Sequence, residues 1–190
     1  MSAEKSIVYF DNPGEANTEE LLQLAKRRAE KLGIRDIVVA SNRGNTGLRA
    51  CEIFKGYNVV AVTHYTGYKE PGHQELTEEN RRAIERSGGK LLTTMHTFMG
   101  VERGIKAVFN TVYPAEIMAQ TLRLFGHGTK VAIEVVTMAA DAGLIPVDRD
   151  VIGIGGRASG ADTALVVKPA NSTRLFDLVV KEIIAKPIVS

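Results

Sequence analysis

The sequence predicts a three-layer α/β fold, in which a mainly parallel sheet carries helices on both faces. Short runs of β-branched and apolar residues alternate with longer segments that have the helical period. The first four runs are Ile7 to Phe10, Ile37 to Ala40, Val59 to Thr63 and Leu91 to Met95. Strands that alternate with helices in this order usually form a parallel sheet, because each helix returns the chain to the same edge.

The first two helices have recognisable ends. Asn17 and Glu20 have the spacing of a capping box, and Gly33 follows the apolar stripe as a C-terminal stop. The second helix is expected to begin at Gly47 and to end near Gly56. These two helices would connect the first three strands of the sheet.

The second half of the chain changes character. Residues from Val101 to Phe109 have the helical period, and Pro114 then occupies the favoured first-turn position of another helix. The segment from Thr129 to Ala142 is apolar almost all round, which predicts a helix buried between other elements. The segment from Leu175 to Ala185 fits either period, and we favour a strand. Two further strands are expected at Val151 to Gly155 and Thr163 to Val167.

Composition limits the classes of function. With 190 residues, 44% of them apolar, the chain has the size of one globular domain, residues 1–190. Its 24 basic and 22 acidic residues are spread evenly and only 6% of residues are aromatic, which argues against a nucleic-acid surface. The single cysteine, Cys51, excludes an internal disulfide, and its expected place is the packed core. No apolar run approaches the ~20 residues of a membrane span, so we expect a cytoplasmic protein without a membrane partner.

Polar residues gather where the predicted strands end. Asp11, Ser41, His64 and His96 each follow one of the first four strands. Ligands of open parallel sheets bind beyond the carboxyl ends of the strands, where two loops part. This edge is therefore the predicted ligand site.

The loop after the second strand is the strongest candidate for a phosphate site. It reads Ser41, Asn42, Arg43, Gly44, Asn45, Thr46 and Gly47. A glycine allows close approach of the backbone, a helix N-terminus presents free N–H groups, and Arg43 adds a charged contact. The alternative is that Ser41, Asn45 and Thr46 only cap the helix. The loop lacks the lysine and the spacing of a Walker motif, so no triphosphatase is implied.

A second glycine-rich loop offers Gly155, Gly156 and Arg157 as another ligand face. Such glycine patterns occur as often in tight turns between antiparallel strands, and a strand rather than a helix is expected to follow. Both interpretations stay open for this loop.

The turn formed by His96 and Thr97 is expected, like Gly155 and Gly156, to form a wall of the ligand site. His64 and His96 are also candidates for an acid or base near neutral pH. A structural role is the commoner one for an isolated histidine. No set of residues has regular metal-ligand spacing, so no metal is expected. Glu134 is unusual in a nearly apolar helix, and we favour a structural role in which it bonds an arginine or a backbone cap.

The stretch IVVASNRGNTGLRACEIFKGYNVVAVTH, from Ile37 to His64, resembles the pyruvate kinase C-terminal domain. With Thr94-Met95-His96, Ile117 to Pro146 and Gly153 to Pro169, the whole chain resembles a family of stand-alone archaeal and bacterial proteins of unassigned activity that are similar to that domain. The resemblance implies the same fold and a phosphate pocket at residues 41 to 47.

The resemblance also limits the expected function. The chemistry of pyruvate kinase belongs to a barrel domain of ~250 further residues, so a regulatory-type module is implied and not a kinase. Asn42 and Asn45 stand where the kinase pattern favours Lys and Ser, which disfavours a sugar bisphosphate. Proteins of this kind look like binders of flavin mononucleotide (FMN), which would make this chain a flavoprotein.

Two functions therefore remain open. The first is the binding of a phosphorylated small molecule, with FMN as the expected cofactor. The alternative is an enzyme that acts on a small phosphorylated metabolite with His64 or His96 as acid or base. The apolar surface of a domain this small also allows a homo-oligomer.

Overall fold

In the computed structural model, which describes residues 4–189, the chain forms a seven-stranded sheet with helices on both faces. The predicted α/β fold is confirmed. Residues 1–3 and 190, which the predicted domain 1–190 includes, lie outside the described residues.

The sheet is mixed, with strand order β1-β7-β6-β5-β2-β3-β4. Strand β6 is antiparallel to both of its neighbours, and every other neighbouring pair is parallel. The short connection between β5 and β6 explains the reversal, because a parallel pair needs a crossover of a dozen or more residues. In chain order, β1 to β7 span Val8–Phe10, Asp36–Ala40, Asn58–Thr63, Lys90–Thr93, Val151–Gly155, Thr163–Lys168 and Val179–Pro187.

The described part of the chain contains six α-helices and two short 3-10 helices, Glu15–Asn17 and Ser172–Asp177. None of the helices there is long and apolar enough to cross a membrane. Helices α1, α2 and α3 pack on one face of the sheet, whereas α5 and α6 pack on the other. In chain order, α1 to α6 span Thr18–Leu32, Asn45–Ile53, Glu78–Arg86, Gly100–Phe109, Pro114–Arg123 and His127–Asp141.

Helix α1 ends as predicted but begins differently. Gly33 is the C-cap, with a left-handed φ of 68°. Asn17 makes no capping hydrogen bond, because its backbone is already helical and its side chain donates to the carbonyl of Asn12 at 2.7 Å. The predicted capping box is therefore wrong.

Two other predicted bounds also change. Helix α2 begins at Asn45, two residues before Gly47, because Gly44 turns the chain with a φ of 99°. The segment from Leu175 to Ala185 is strand only from Val179, since the 3-10 helix occupies its first residues.

Helix α6 is the central buried helix that its sequence predicts, with twelve of its fifteen residues buried. It lies very close to β5 because the strand has no side chain at Gly153 or Gly155. A Cβ atom at Gly155 would lie 2.4 Å from the carbonyl oxygen of Gly128 in the first turn of α6. The glycines of β5 thus allow the first turn of α6 to rest on the strand itself.

The helical connections switch from one face of the sheet to the other at the neighbouring strands β2 and β5. Helix α2 leads from β2 to β3 across one face, whereas α6 precedes β5 and covers the opposite face. Because β2 and β5 are parallel neighbours, the loops that follow them leave the same edge of the sheet in different directions. A crevice is expected at such a point.

Candidate functional site

A cleft of about 690 Å³ lies at this edge of the sheet. Its volume falls within the ~300 to 1,000 Å³ typical of small-molecule sites. All of the predicted site residues lie in the described part of the chain. Those that line the cleft are Ser41, Asn42, Arg43, Asn45, Thr46, His64, His96 and Gly156, whereas Gly44, Gly47, Thr97, Gly155 and Arg157 do not.

The N-terminus of α2 presents free hydrogen-bond donors at the cleft. Gly47 donates its N–H to the Ser41 hydroxyl oxygen at 2.8 Å, and Leu48 donates to the Gly44 carbonyl. The N–H groups of Asn45 and Thr46 find no acceptor among residues 4–189. The first turn of the helix therefore keeps two N–H donors, and the positive end of the helix dipole adds to them.

The glycines of this loop serve packing. A Cβ atom at Gly44 would lie 2.5 Å from the Cβ of Asn80 in α3, and one at Gly47 would lie 2.8 Å from the Cβ of Ala61 in β3. Neither residue lines the cleft. Gly44 is thus needed for its left-handed φ and for its close contact with α3, and not for the close backbone approach to a ligand that we expected.

Asn80 holds the loop in place, and the sequence did not single it out. Its amide nitrogen donates to the carbonyl of Arg43 at 2.8 Å and to the side-chain oxygen of Asn45 at 2.6 Å. The alternative interpretation, in which Ser41, Asn45 and Thr46 cap the helix, therefore holds for Ser41, which accepts from Gly47, but not for Asn45, whose side-chain oxygen bonds α3 and not its own helix. Asn80 lies more than thirty residues further on, and nothing in its local sequence indicates the contact.

The second glycine-rich loop joins two antiparallel strands, as its alternative interpretation states. Gly155 is required by α6, and the side chain of Arg157 is exposed outside the cleft. Gly156 lines the cleft together with Ala158, which has the left-handed φ of 63° that few non-glycine residues adopt. This loop contributes mostly backbone and small side chains to one wall.

His64 is fixed at the opposite wall by its neighbours. Its Nδ1 lies 2.5 Å from the carboxylate of Glu75, which is nearly buried and also accepts from Lys69. Its ring stacks on Tyr68, with ring centroids 3.7 Å apart. Burial lowers the pKa of His64, so the ring is neutral at pH 7 and donates its Nδ1 proton to Glu75. Its Nε2 is thereby left as a base.

His96 lies deeper in the cleft, with only 10% of its side chain exposed. Its Nδ1 has no hydrogen-bond partner among the described residues and is 4.0 Å from the Glu134 carboxylate. Burial lowers the pKa of His96, which keeps the ring neutral. Buried polar atoms are rarely left without a partner, so an unsatisfied nitrogen that lines a cleft is a point where a ligand can bond.

The bonds of Glu134 fit the structural role expected for it, except that its cationic partner is a lysine and not an arginine. It accepts from the backbone N–H of Phe98 at 3.1 Å and from Lys130 one turn earlier in α6. Both charged side chains are buried, and burial lowers the pKa of Lys130. The pair also lines the cleft.

The cations of the cleft fall into two groups. Lys69 and Lys130 are paired with carboxylates. Arg43 and Arg123 also line the cleft, and neither forms an ion pair anywhere in residues 4–189. These two arginines are therefore the charges available to a bound anion.

Two further predictions concern cysteine and metal. Cys51 lies in the core between α2 and the sheet, as predicted, and burial raises its pKa to about 11. Such a thiol is a poor nucleophile at neutral pH. In the described part of the chain, no group of three His, Cys, Asp or Glu side chains could hold a metal ion.

The fold and cleft define an α/β domain with an open crevice at the point where its strand order reverses. The family model for the pyruvate kinase alpha/beta domain matches residues 19–167, from α1 to β6. The chain therefore belongs to this family, as its resemblance predicts.

The energetic role of the buried ion pair between Lys130 and Glu134 in α6 can be tested by substitution. Lys130→Met should lower the free energy of unfolding by about 3 to 5 kcal/mol, because it leaves the Glu134 carboxylate buried without its cation. Adding Glu134→Gln should recover most of that loss, since a neutral Gln still accepts from Phe98. Urea unfolding measures both variants. Equal destabilisation in the single and double variants would contradict this view of the pair.

Proposed function

We propose that this chain binds a phosphorylated small molecule in the cleft, with the phosphate at the N-terminus of α2. The observation that carries the proposal is the pair of free N–H groups at Asn45 and Thr46, beside an arginine, Arg43, that has no acidic partner in residues 4–189. A phosphate needs several donors and positive potential, and a helix N-terminus supplies both. The Thr46 side chain lines the same wall and adds a hydroxyl donor.

The other end of the ligand would meet His64, Tyr68 and His96. The stacked rings of His64 and Tyr68 offer a planar surface, and His96 Nδ1 offers a buried nitrogen that needs a partner. The cleft therefore fits a molecule with a phosphate at one end and a flat group with hydrogen-bonding atoms at the other. A helix N-terminus that only caps itself would not account for the unsatisfied His96 on the same cleft.

FMN has both parts, and we propose it as the cofactor. Its phosphate suits the donors of α2, and its ring system is flat with polar atoms along one edge. The cleft volume of about 690 Å³ is large enough for a ligand of this size. When bound, the flavin would supply redox chemistry, whereas the residues described here bind and orient it.

Arg43→Ala tests which end of the ligand Arg43 contacts. A charge-assisted hydrogen bond contributes ~1.5 to 3 kcal/mol, and the exposure of Arg43 places it at the lower end, so FMN should bind roughly tenfold more weakly. Riboflavin has the same ring without the phosphate, and its affinity should not change. Isothermal calorimetry with both flavins measures the difference.

Arg49→Ala is the matched control for that variant. Arg49 lies on α2 as well, but it bonds Glu19 and Glu52 and does not line the cleft. It should leave both affinities unchanged. If Arg43→Ala weakens FMN and riboflavin equally, or weakens neither, Arg43 does not contact the phosphate.

A second candidate function rests on the bond between Glu75 and His64. A carboxylate that fixes one nitrogen of a neutral histidine leaves the other as a base, an arrangement common in enzymes that move protons. With a phosphate held at α2, such a base could remove a proton from a small phosphorylated metabolite. Burial lowers the pKa of His64, which favours its basic form at pH 7.

Proton exchange distinguishes this enzyme from a simple binder. The protein is incubated in deuterated water with phosphorylated aldehydes, ketones and sugars, and deuterium uptake into each compound is followed by NMR. If His64 is the base, His64→Gln should slow exchange by ~10² to 10⁴, whereas His73→Gln, an exposed histidine in the same loop, should not. No exchange by the unaltered protein with any compound would exclude this role for these substrates.

A further inference from the structure

Lys130 is a buried amine on the wall of the cleft. It lies in the first turn of α6, and only 3% of its side chain is exposed. A lysine ammonium has three N–H donors, yet in residues 4–189 the Glu134 carboxylate is its only hydrogen-bond acceptor. The ring of Phe98, whose centroid is 5.7 Å away, offers no lone pair. Buried donors are rarely left without an acceptor, so the ammonium form of Lys130 is poorly satisfied.

Stability alone does not account for this lysine. Two charges that leave water lose their hydration, and apolar side chains of similar volume often replace a buried ion pair without loss of stability. Val131 and Val135 of the same helix also line the cleft, so apolar side chains suit this wall. A buried lysine that faces a cleft is therefore better explained by its chemistry.

The surroundings of Lys130 favour its neutral amine. Burial lowers its pKa, Glu134 opposes that effect, and the positive charge of Arg123 adds to it, so that the pKa is lowered overall. The Glu134 carboxylate contacts the ammonium group directly and can take its proton. A neutral amine is a nucleophile, and lysines of this kind form Schiff bases with carbonyl compounds.

We propose that Lys130 forms a Schiff base with a phosphorylated aldehyde or ketone bound in the cleft. The choice of a phosphorylated substrate rests on the proposed function, since the N-terminus of α2 holds the phosphate while the carbonyl group meets Lys130. The Schiff base itself depends on Lys130 and Glu134, and it does not require FMN.

The reaction balances in atoms and charge. Glu134 takes one proton from the ammonium group, and the nitrogen of Lys130 then attacks the carbonyl carbon. A second proton moves from this nitrogen to the former carbonyl oxygen, which gives a neutral carbinolamine. Glu134 returns its proton to the hydroxyl group, water leaves, and the nitrogen lone pair forms the C=N bond. The product is a cationic iminium ion, so the Glu134 carboxylate keeps a positive partner and no unpaired charge is buried.

An iminium ion also gives the base on the opposite wall a substrate. It withdraws electrons from the neighbouring carbon and makes the C–H bond there more acidic. His64 lines the same cleft, and its Nε2 is the free basic nitrogen. The class of reaction is therefore isomerisation, or cleavage of a carbon–carbon bond, next to a carbonyl group.

Reductive trapping tests the inference. The whole chain is incubated with sodium cyanoborohydride and either dihydroxyacetone phosphate or pyridoxal 5′-phosphate, which adds a flat ring. The reagent reduces an iminium ion to a stable amine, and peptide mass spectrometry locates the product. Lys69 is the comparison in the same sample, since it lines the cleft but is exposed. Lys130 should be labelled at least about tenfold faster, because the neutral fraction of an amine at pH 7 rises as its pKa falls.

The double variant Lys130→Met with Glu134→Gln is the control for the fold. It removes both charges of the pair, so it should keep the circular dichroism spectrum of the unaltered protein and lose the trapped product. If this variant fails to fold, the ratio of labelling at Lys130 and Lys69 in the unaltered protein decides the test.

Dihydroxyacetone and pyridoxal, which lack the phosphate, separate this inference from the proposed function. A phosphate held at α2 predicts slower trapping of these two compounds. Equal trapping at Lys130 with and without phosphate supports the Schiff base and contradicts the phosphate site. No trapping at Lys130 with any of the four compounds overturns the inference, whether or not a phosphate binds at α2. Labelling of Lys69 and Lys130 at equal rates also overturns it.

Discussion

The contact between α6 and β5 determines where the candidate site lies. Gly153 and Gly155 leave β5 without side chains on that face, and Gly128 lets the first turn of the helix lie against Thr163 at the start of β6. A Cβ atom at Gly155 would meet backbone of α6, which cannot move aside as a flexible side chain can. The close contact brings the first two turns of α6, with Lys130 and Glu134, to the carboxyl edge of the sheet. The loops that follow β2 and β3 form the opposite wall of the cleft.

The cleft concentrates polar groups that would be costly elsewhere in the core. Lys130 and Glu134 offset each other, and His64 is held by Glu75. His96 differs because its Nδ1 has no partner in residues 4–189. Places where a protein departs from full hydrogen bonding are often places where it acts on something else. The free N–H groups of α2 belong to the same cleft, and the proposed ligand would satisfy both sets of groups.

The sequence predicts the scaffold well, because apolar period and loop composition are local properties. The strands from β2 to β6 begin and end within one or two residues of their predicted positions. The loop after β2 and the two histidines are recognisable because they follow strands, and parallel strands end at one edge. Glycine was harder to interpret, since a glycine needed for helix packing and one needed by a ligand look alike in a sequence. Gly155 and Gly44 belong to the first kind.

What the sequence could not predict depends on contacts between distant segments. Glu75 and Tyr68 lie in an irregular loop, and only the folded chain places them against His64. Asn80 contacts the loop after β2 from another helix. The apolar period of α4 predicts its helix correctly, yet the same period normally marks a buried side, and no residue of α4 is buried. Whether an apolar stripe faces the core of its own chain is decided by tertiary structure.

The proposed function requires that the first turn of α2 hold the phosphate of a ligand. Amide resonances measured by ¹⁵N NMR during titration with FMN test it residue by residue. The N–H groups of Asn45 and Thr46 should show the largest shifts, and riboflavin should shift them much less while still affecting the ring of His96. FMN binding that leaves Asn45 and Thr46 unchanged, or no binding of any phosphorylated ligand at these residues, would contradict the claim.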